Sequence, residues 1–372
     1  MKTNPLKTLG TLGQSIWLDY IRRDLIVSGE LRRLIKEDGL RGMTSNPSIF
    51  EKAISGSHDY DEDIRVMVHE GKGVKAIYEA ISQRDVQGAA DEFRPLYDKT
   101  EGGDGYVSLE VNPHLAHDTG GTLEEARRLW AALSRPNVFI KVPATAEGLP
   151  VIRQLISEGI NVNVTLLFGI PRYRQVVEAY LAGVEARVAQ AKPVKTVASV
   201  ASFFVSRIDA LVDPLLEKLI AQGGEHGTLA KMMHGQVAVA SAKVAYQIYK
   251  EMFESVRFRK LADKGALTQR LLWASTSTKN PEYSDVKYIE SLIGPHTVDT
   301  VPVETLDDYR DHGKPRDRIE QDFVESRRML DRLPELGISI DKETQQLEDE
   351  GVEKFSKSFD KLMATLEKAV QK

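Results

Sequence analysis

The chain contains no cysteine, which excludes disulfide scaffolding, thiolate nucleophiles and thiolate metal sites and fits a reducing, cytoplasmic compartment. Long hydrophobic runs are missing as well. Nowhere do about 18 uncharged apolar residues follow one another, and Met1 to Ser15 has lysines but no apolar h-region, so neither a membrane span nor a secretion signal is expected. Neither charge sign dominates: 50 Lys and Arg face 55 Asp and Glu, a net charge of -5, which gives no field suited to nucleic acid or an anionic membrane. The glycine pairs Gly102-Gly103, Gly120-Gly121 and Gly223-Gly224 lack the strand-to-helix setting of a dinucleotide loop, so no nucleotide cofactor is implied. What remains is a small, diffusible substrate. The sequence carries no signal of oligomeric state.

The 372 residues, 41% hydrophobic, suffice for one large core. Short apolar runs with turn or cap signals recur at Ile16 to Tyr20, Gly42 to Asn46, Tyr106 to Asn112, Asn137 to Pro143, Asn161 to Leu167, Lys195 to Ser202, Leu271 to Ser275 and Thr297 to Pro302. Between them lie helix-length segments, among them Thr122 to Leu133, Leu149 to Ser157, Pro171 to Ala189 and Leu229 to Phe253. This alternation is that of a parallel α/β fold, and eight repeats favour closure into a (β/α)8 TIM barrel. Capping-box spacing at Thr122 with Glu125 and Ser48 with Glu51, and Pro171 in a first turn, mark helix starts. Helix-rich insertions at about 51–103 and 209–266 carry no linker composition, so a single domain over 1–372 is expected, with a helical extension over about 310–372. There, Asp317 to Leu333 and Lys342 to Val370 read as helices. Phe355, Phe359, Leu362 and Leu366 of the second have the spacing of a packed face, and this helix is a candidate cover for one barrel mouth.

In a barrel, one parity of each strand faces the helices and must be apolar, while the other faces the axis and carries chemistry near the strand's carboxyl end. Inward polar residues therefore stand out. Asn161, Asn163 and Thr165 alternate with Val162, Val164 and Leu166; Asp19 opposes Ile16 and Leu18; Glu110 opposes Val107, Leu109 and Val111. Lys141 opposes Val138, Ile140 and Val142, with no opposite charge beside it in sequence. Burial disfavours an ammonium ion, and a neutral amine attacks a carbonyl to form an iminium, so Lys141 is a candidate Schiff-base nucleophile. A snorkelling or salt-bridged lysine is the structural alternative. Asp19 and Glu110 weigh for chemistry, because Schiff-base aldol cleavage needs acid–base groups for dehydration and for the hydroxyl whose deprotonation breaks the carbon–carbon bond. Ser202 with Arg207, and Ser275 with Lys279, are candidate phosphate contacts at strand ends. His114 and His117 are the nearest approach to metal-ligand spacing, too loose to predict a metal. The acidic run Asp59 to Asp63 reads as a solvated helix start.

Gly42-Met43-Thr44-Ser45-Asn46-Pro47-Ser48 and Ile140-Lys141-Val142-Pro143-Ala144-Thr145-Ala146-Glu147-Gly148 resemble the two signature segments of the transaldolase family. The similarity also takes in Trp17-Leu18-Asp19, Ser108 to Val111, Asn163 to Leu166, Ser202 to Arg207 and Ala274 to Asn280, in family order from residue 16 to about 300. The length of the chain and its C-terminal helices resemble a larger bacterial-type subgroup. The resemblance implies a cofactor-free class I aldolase barrel of the pentose phosphate pathway. It would pass a dihydroxyacetone unit from sedoheptulose 7-phosphate or fructose 6-phosphate to glyceraldehyde 3-phosphate or erythrose 4-phosphate. By the same resemblance, Lys141 would form the Schiff base, Glu110 would act through a water held near Thr165, and Asp19 would take the C4 hydroxyl proton. Asn46, Asn163 and Ser202 would hold the dihydroxyacetone hydroxyls, with Arg207 at the phosphate. Lys279 stands where many transaldolases have an arginine, a point charge in place of a bidentate fork. Phe204 is similar to transaldolases, whereas related fructose-6-phosphate aldolases carry tyrosine there; a ring without a hydroxyl cannot position water against the bound carbanion. The alternatives are an aldolase that releases dihydroxyacetone, a metallohydrolase and a non-catalytic sugar-phosphate-binding barrel.

Overall fold

The computed structural model describes residues 4–370; Met1 to Thr3 and Gln371 to Lys372, the ends of the expected 1–372 unit, lie outside the described residues. Eight strands form a closed barrel in chain order: β1 (Gln14–Asp19), β2 (Gly42–Thr44), β3 (Tyr106–Glu110), β4 (Val138–Pro143), β5 (Val162–Leu167), β6 (Ser199–Phe204), β7 (Arg270–Ala274) and β8 (Thr297–Val301). Every neighbouring pair is parallel, and β8 closes on β1. Each of the eight expected strands is present; the largest shift is β6, which begins at Ser199, because Val194 to Val197 close a turn first.

Strand parity explains how the interior is filled. Trp17 and Phe139, on β1 and β4, stack at 6.1 Å, and Phe139 stacks on Tyr106 of β3 at 4.3 Å. Strands that far apart meet only through the barrel axis, so these rings form an aromatic floor. Gly42 of the intervening strand leaves room for it, since a Cβ there would lie 2.4 Å from the indole. Two residues further along β1 and β4, and four along β3, the same parity delivers Asp19, Lys141 and Glu110 above the floor. The opposite parity packs Val138, Ile140, Val142, Val162 and Val164, all buried, against the surrounding helices.

Local contacts redraw several helix boundaries. The stretch expected as one helix over Leu229 to Phe253 is two, Gly224–Met233 and Val237–Phe253. Gly235 breaks it in the left-handed region at φ 69°, donating its N–H to Asp213 while its carbonyl accepts from Lys287. The helix expected from Asp317 starts at Phe323, because the backbone N–H groups of Arg318 and Ile319 bind the Ile293 carbonyl instead. The caps also differ. Asn46, not Ser48, caps helix Pro47–Ser55, and Asp118, not Thr122, caps Thr119–Leu133. Ser48 is instead bonded to Ser358 and Glu125 accepts from the Asn112 N–H. Pro171 does sit in the first turn of Ile170–Ala189. The acidic run is not merely solvated: Asp59 pairs with Arg22, and Asp63 with Arg23 and Arg84.

The last helix, Ile340–Val370, is packed and covering at once. Phe359, Leu362 and Leu366 are buried, Phe359 edge-on to Tyr78. Gly351 lies so close to Leu166, at the carboxyl end of β5, that a Cβ would stand 3.1 Å from it. Phe355 and Lys354 face the cavity at that mouth. No described helix is long and apolar enough to cross a membrane.

Candidate active site

A cavity of about 680 Å³ opens at the carboxyl ends of the strands, where barrel chemistry is sited. Asp19, Asn46, Lys141, Thr165, Ser202, Phe204, Arg207, Ser275 and Lys279 all line it. Glu110 and Asn163 lie directly behind. Glu110 is in register with Lys141, and Lys141 with Asn163, across hydrogen-bonded neighbouring strands.

Lys141 Nζ stands 3.2 Å from Glu110 Oε2 and donates to the Ser45 carbonyl at 2.9 Å. Both side chains are buried, Lys141 6% and Glu110 4% exposed, which makes this a desolvated pair rather than a surface bridge. The contact is an ion pair, and no group other than Lys141 reaches either Glu110 oxygen among the described residues. Burial raises the Glu110 carboxyl above its usual range, opposed by the charge of Lys141. Thr165 Oγ1 is likewise buried and unpartnered, aimed at the same space. Glu110 Oε1 and Thr165 Oγ1 thus offer acceptors that a bound water or substrate hydroxyl would satisfy.

Asp19 is raised too, by burial first, against the opposing charges of Lys141, Lys279 and Arg207. Thr44 Oγ1 donates to Asp19 Oδ1 at 2.6 Å. On the other wall, Ser202 Oγ donates to Asn163 Oδ1 at 2.6 Å, and Asn163 Nδ2 donates to Ser108 Oγ at 3.1 Å, which fixes the amide orientation. Asn46 Oδ1 is occupied as a helix cap, leaving its amide N–H groups toward the cavity. Asn161, of the same parity but at the amino end of β5 away from the cavity, ties β4 to β6 by bonding the Pro136 and Val138 carbonyls and the Ala198 N–H.

Cations gather at the outer wall. Arg207 follows β6 at the start of helix Ser206–Gln222 and lies over the Phe204 ring at 5.5 Å. Burial lowers both Arg207 and Lys279, and Lys279 is pulled down further by Arg207 and Lys354. Lys279 Nζ donates to Ser277 at 2.5 Å, and Ser275, in the left-handed region at φ 55°, pairs with Ser206. Like charges held together in a concave site suit a dianionic phosphate. His114 and His117 do not converge: one pairs with Asp360, the other with Glu147. Among the described residues no group of three or more His, Asp or Glu could hold a metal ion.

Sequence reasoning did not single out Thr44, Thr300, Lys52 or Lys354, all of which line the cavity. Thr44 and Thr300 share the inward parity of their strands, a signal the text of the sequence does carry. Lys52 and Lys354 arrive from helices, and no local pattern marks them.

Fold and site together define a (β/α)8 barrel with a buried lysine–carboxylate centre under a cationic rim. The sequence matches the transaldolase/fructose-6-phosphate aldolase family over residues 16–366. It is 47% identical to a transaldolase of Trichodesmium erythraeum, covering 100% of this chain and 99% of the relative. It is 46% identical to one of Acidothermus cellulolyticus, over 100% and 98%, and 44% to one of Thiobacillus denitrificans, over 98% and 99%. The chain belongs to the transaldolase/fructose-6-phosphate aldolase family.

Proposed function

We propose that the protein is a transaldolase, as its relatives' names suggest, and that it works in the cytoplasm in the pentose phosphate pathway, moving a dihydroxyacetone unit between sugar phosphates through a Schiff base on Lys141. The observation that carries this is the Lys141–Glu110 pair, 3.2 Å apart and buried at the base of a cavity that Asp19 also lines. Lys141 Nζ attacks C2 of the ketose phosphate. Glu110, whose carboxyl burial raises above its usual range, takes the proton Lys141 gives up and donates it as the C2 oxygen leaves as water, aided by a water held at Thr165. Asp19 takes the C4 hydroxyl proton, the C3–C4 bond breaks, and its electron pair enters the iminium to give an enamine. The aldose phosphate departs, and Asn46, Asn163 and Ser202 hold the remaining three-carbon unit. An incoming aldose phosphate accepts the enamine at its aldehyde carbon, Asp19 returns the proton, and water hydrolyses the new iminium. Arg207, with Lys279 and Ser275, holds the phosphate.

Phe204, 7% exposed and without a hydroxyl, favours transfer over the release of free dihydroxyacetone by which an aldolase works. Borohydride reduction with fructose 6-phosphate, followed by intact mass and peptide mapping, tests the reading. A dihydroxyacetone adduct on Lys141 that vanishes in Lys141→Ala is expected. Turnover without an adduct sinks the mechanism, and a folded protein with neither favours the non-catalytic sugar-phosphate-binding barrel.

A further inference from the structure

The Thr44 hydroxyl sits between two oxygens. It donates to Asp19 Oδ1 at 2.6 Å and lies 2.7 Å from Thr300 Oγ1. A hydroxyl has a single proton, so when Thr44 gives it to the carboxylate, the contact with Thr300 holds only if Thr300 donates to Thr44. The chain of donors therefore has one direction, from Thr300 through Thr44 to Asp19. It crosses three neighbouring strands of the closed barrel, and the registers Asp19 to Thr44 and Trp17 to Thr300 fix its geometry. Thr44 and Thr300 border the cavity yet are only 2% and 4% exposed, so little of either side chain meets bulk water. Threonine also suits the task, because its branched Cβ restricts the hydroxyl to few rotamers.

We propose that Thr44 and Thr300 are positioning residues that lock Asp19 Oδ1 as an occupied acceptor and so present Oδ2 to the substrate hydroxyl. The inference rests on the proton-accepting role of Asp19 given above. The groups facing Asp19 are Lys141 on β4, Arg207 after β6 and Lys279 after β7, with the Glu110 carboxylate on β3 acting against them. None of these hydrogen-bonds Asp19; Thr44 does. Removing the Thr44 hydroxyl withdraws the donor that favours the ionised carboxylate and leaves burial opposed by charge alone.

The test compares Thr44→Val, Thr44→Ser and Thr300→Val across pH. In Thr44→Val, kcat should fall about ten- to a hundredfold with KM little changed, and the acid limb of kcat/KM should move to higher pH. Thr300→Val should move it the same way by less, and Thr44→Ser should restore most of the rate. An unmoved acid limb in both valine variants overturns the proposal, as does a Thr44→Ser variant no better than Thr44→Val. Adduct trapping on Lys141 is run in parallel on every variant. A native protein that forms no adduct refutes the Schiff-base reading itself; a Thr44→Val protein that traps normally yet keeps the native pH profile refutes only the positioning role. If Thr44→Val does not fold, Thr300→Val, which leaves the Asp19 contact in place, decides by the same shift.

Discussion

Arg172, in the helix after β5, pairs at 3.2 Å with Glu348 of the C-terminal helix, and the carboxylate side chain is only 6% exposed. Burial raises Glu348 while Arg172 opposes it, so the pair is a clamp whose halves depend on each other. Three residues on from Glu348 is Gly351, seated against Leu166, and then come Lys354 and Phe355 at the cavity. Arg172→Met leaves the buried carboxylate with only the Gln345 amide as donor and should lower stability by about 3 kcal/mol in denaturant titration. It should also raise KM for phosphorylated donors, since the cover is loosened. Arg172→Met with Glu348→Leu should recover most of the stability. A single variant as stable as the native chain would show that the clamp contributes nothing.

Glu110→Gln keeps shape but removes the charge partner of Lys141 and, on the proposed mechanism, the proton donor for carbinolamine dehydration. We expect kcat to fall by about 10² to 10⁴ with a small change in KM. Adduct accumulation under borohydride should slow in proportion. Rapid trapping in a variant that turns over slowly would move the role of Glu110 to a step after the iminium.

The sequence makes the barrel legible because strand parity is a two-residue rule, and an inward Lys141 among Val138, Ile140 and Val142 breaks it visibly. Asp19, Glu110, Asn163 and Thr165 are found by the same rule. What is hidden depends on contacts distant in sequence. Leu166 takes a left-handed φ of 53° where β5 shifts register against β6, and a leucine gives no hint of such a bulge. Ser48 and Thr122 have capping chemistry, but Ser358 and the Leu115 carbonyl claim their hydroxyls. Lys354 reaches the cavity only because the last helix folds back over the mouth, a path that helical periodicity describes without locating.

Asp299 points to a pH dependence of stability unrelated to catalysis. It is fully buried on β8, and burial pushes its carboxyl up to about 8 from a usual 3.8, while Thr276 Oγ1 donates to it at 2.7 Å. The folded chain thus binds this proton more tightly than the unfolded one. The stabilisation is complete below the unfolded value and is lost as pH rises through about 8. One proton gives a slope of up to about 1.4 kcal/mol per pH unit. Asp299→Asn retains an acceptor for Thr276 and cannot ionise. Its denaturation midpoint should fall less than that of the native chain between about pH 5 and 9; parallel curves would mean that the charge is compensated by other groups.

On the proposed mechanism, Phe204 stands between transfer and release. Its ring packs against Phe168 at 5.0 Å, beneath the Arg207 guanidinium, and presents only carbon to the cavity. A tyrosine there adds a hydroxyl at the ring's far end, able to hold a water against the enamine and deliver a proton to it. Protonation at that carbon ends the chance of transfer, and hydrolysis of the resulting iminium frees dihydroxyacetone. In Phe204→Tyr, dihydroxyacetone formed from fructose 6-phosphate without acceptor should therefore rise several-fold relative to the transfer rate. The adduct on Lys141 should still form, because the ring takes no part in iminium formation. If partition is unchanged while the protein stays folded and trappable, water reaches the enamine by another route, and the commitment to transfer lies with the walls around Asp19 rather than with this ring.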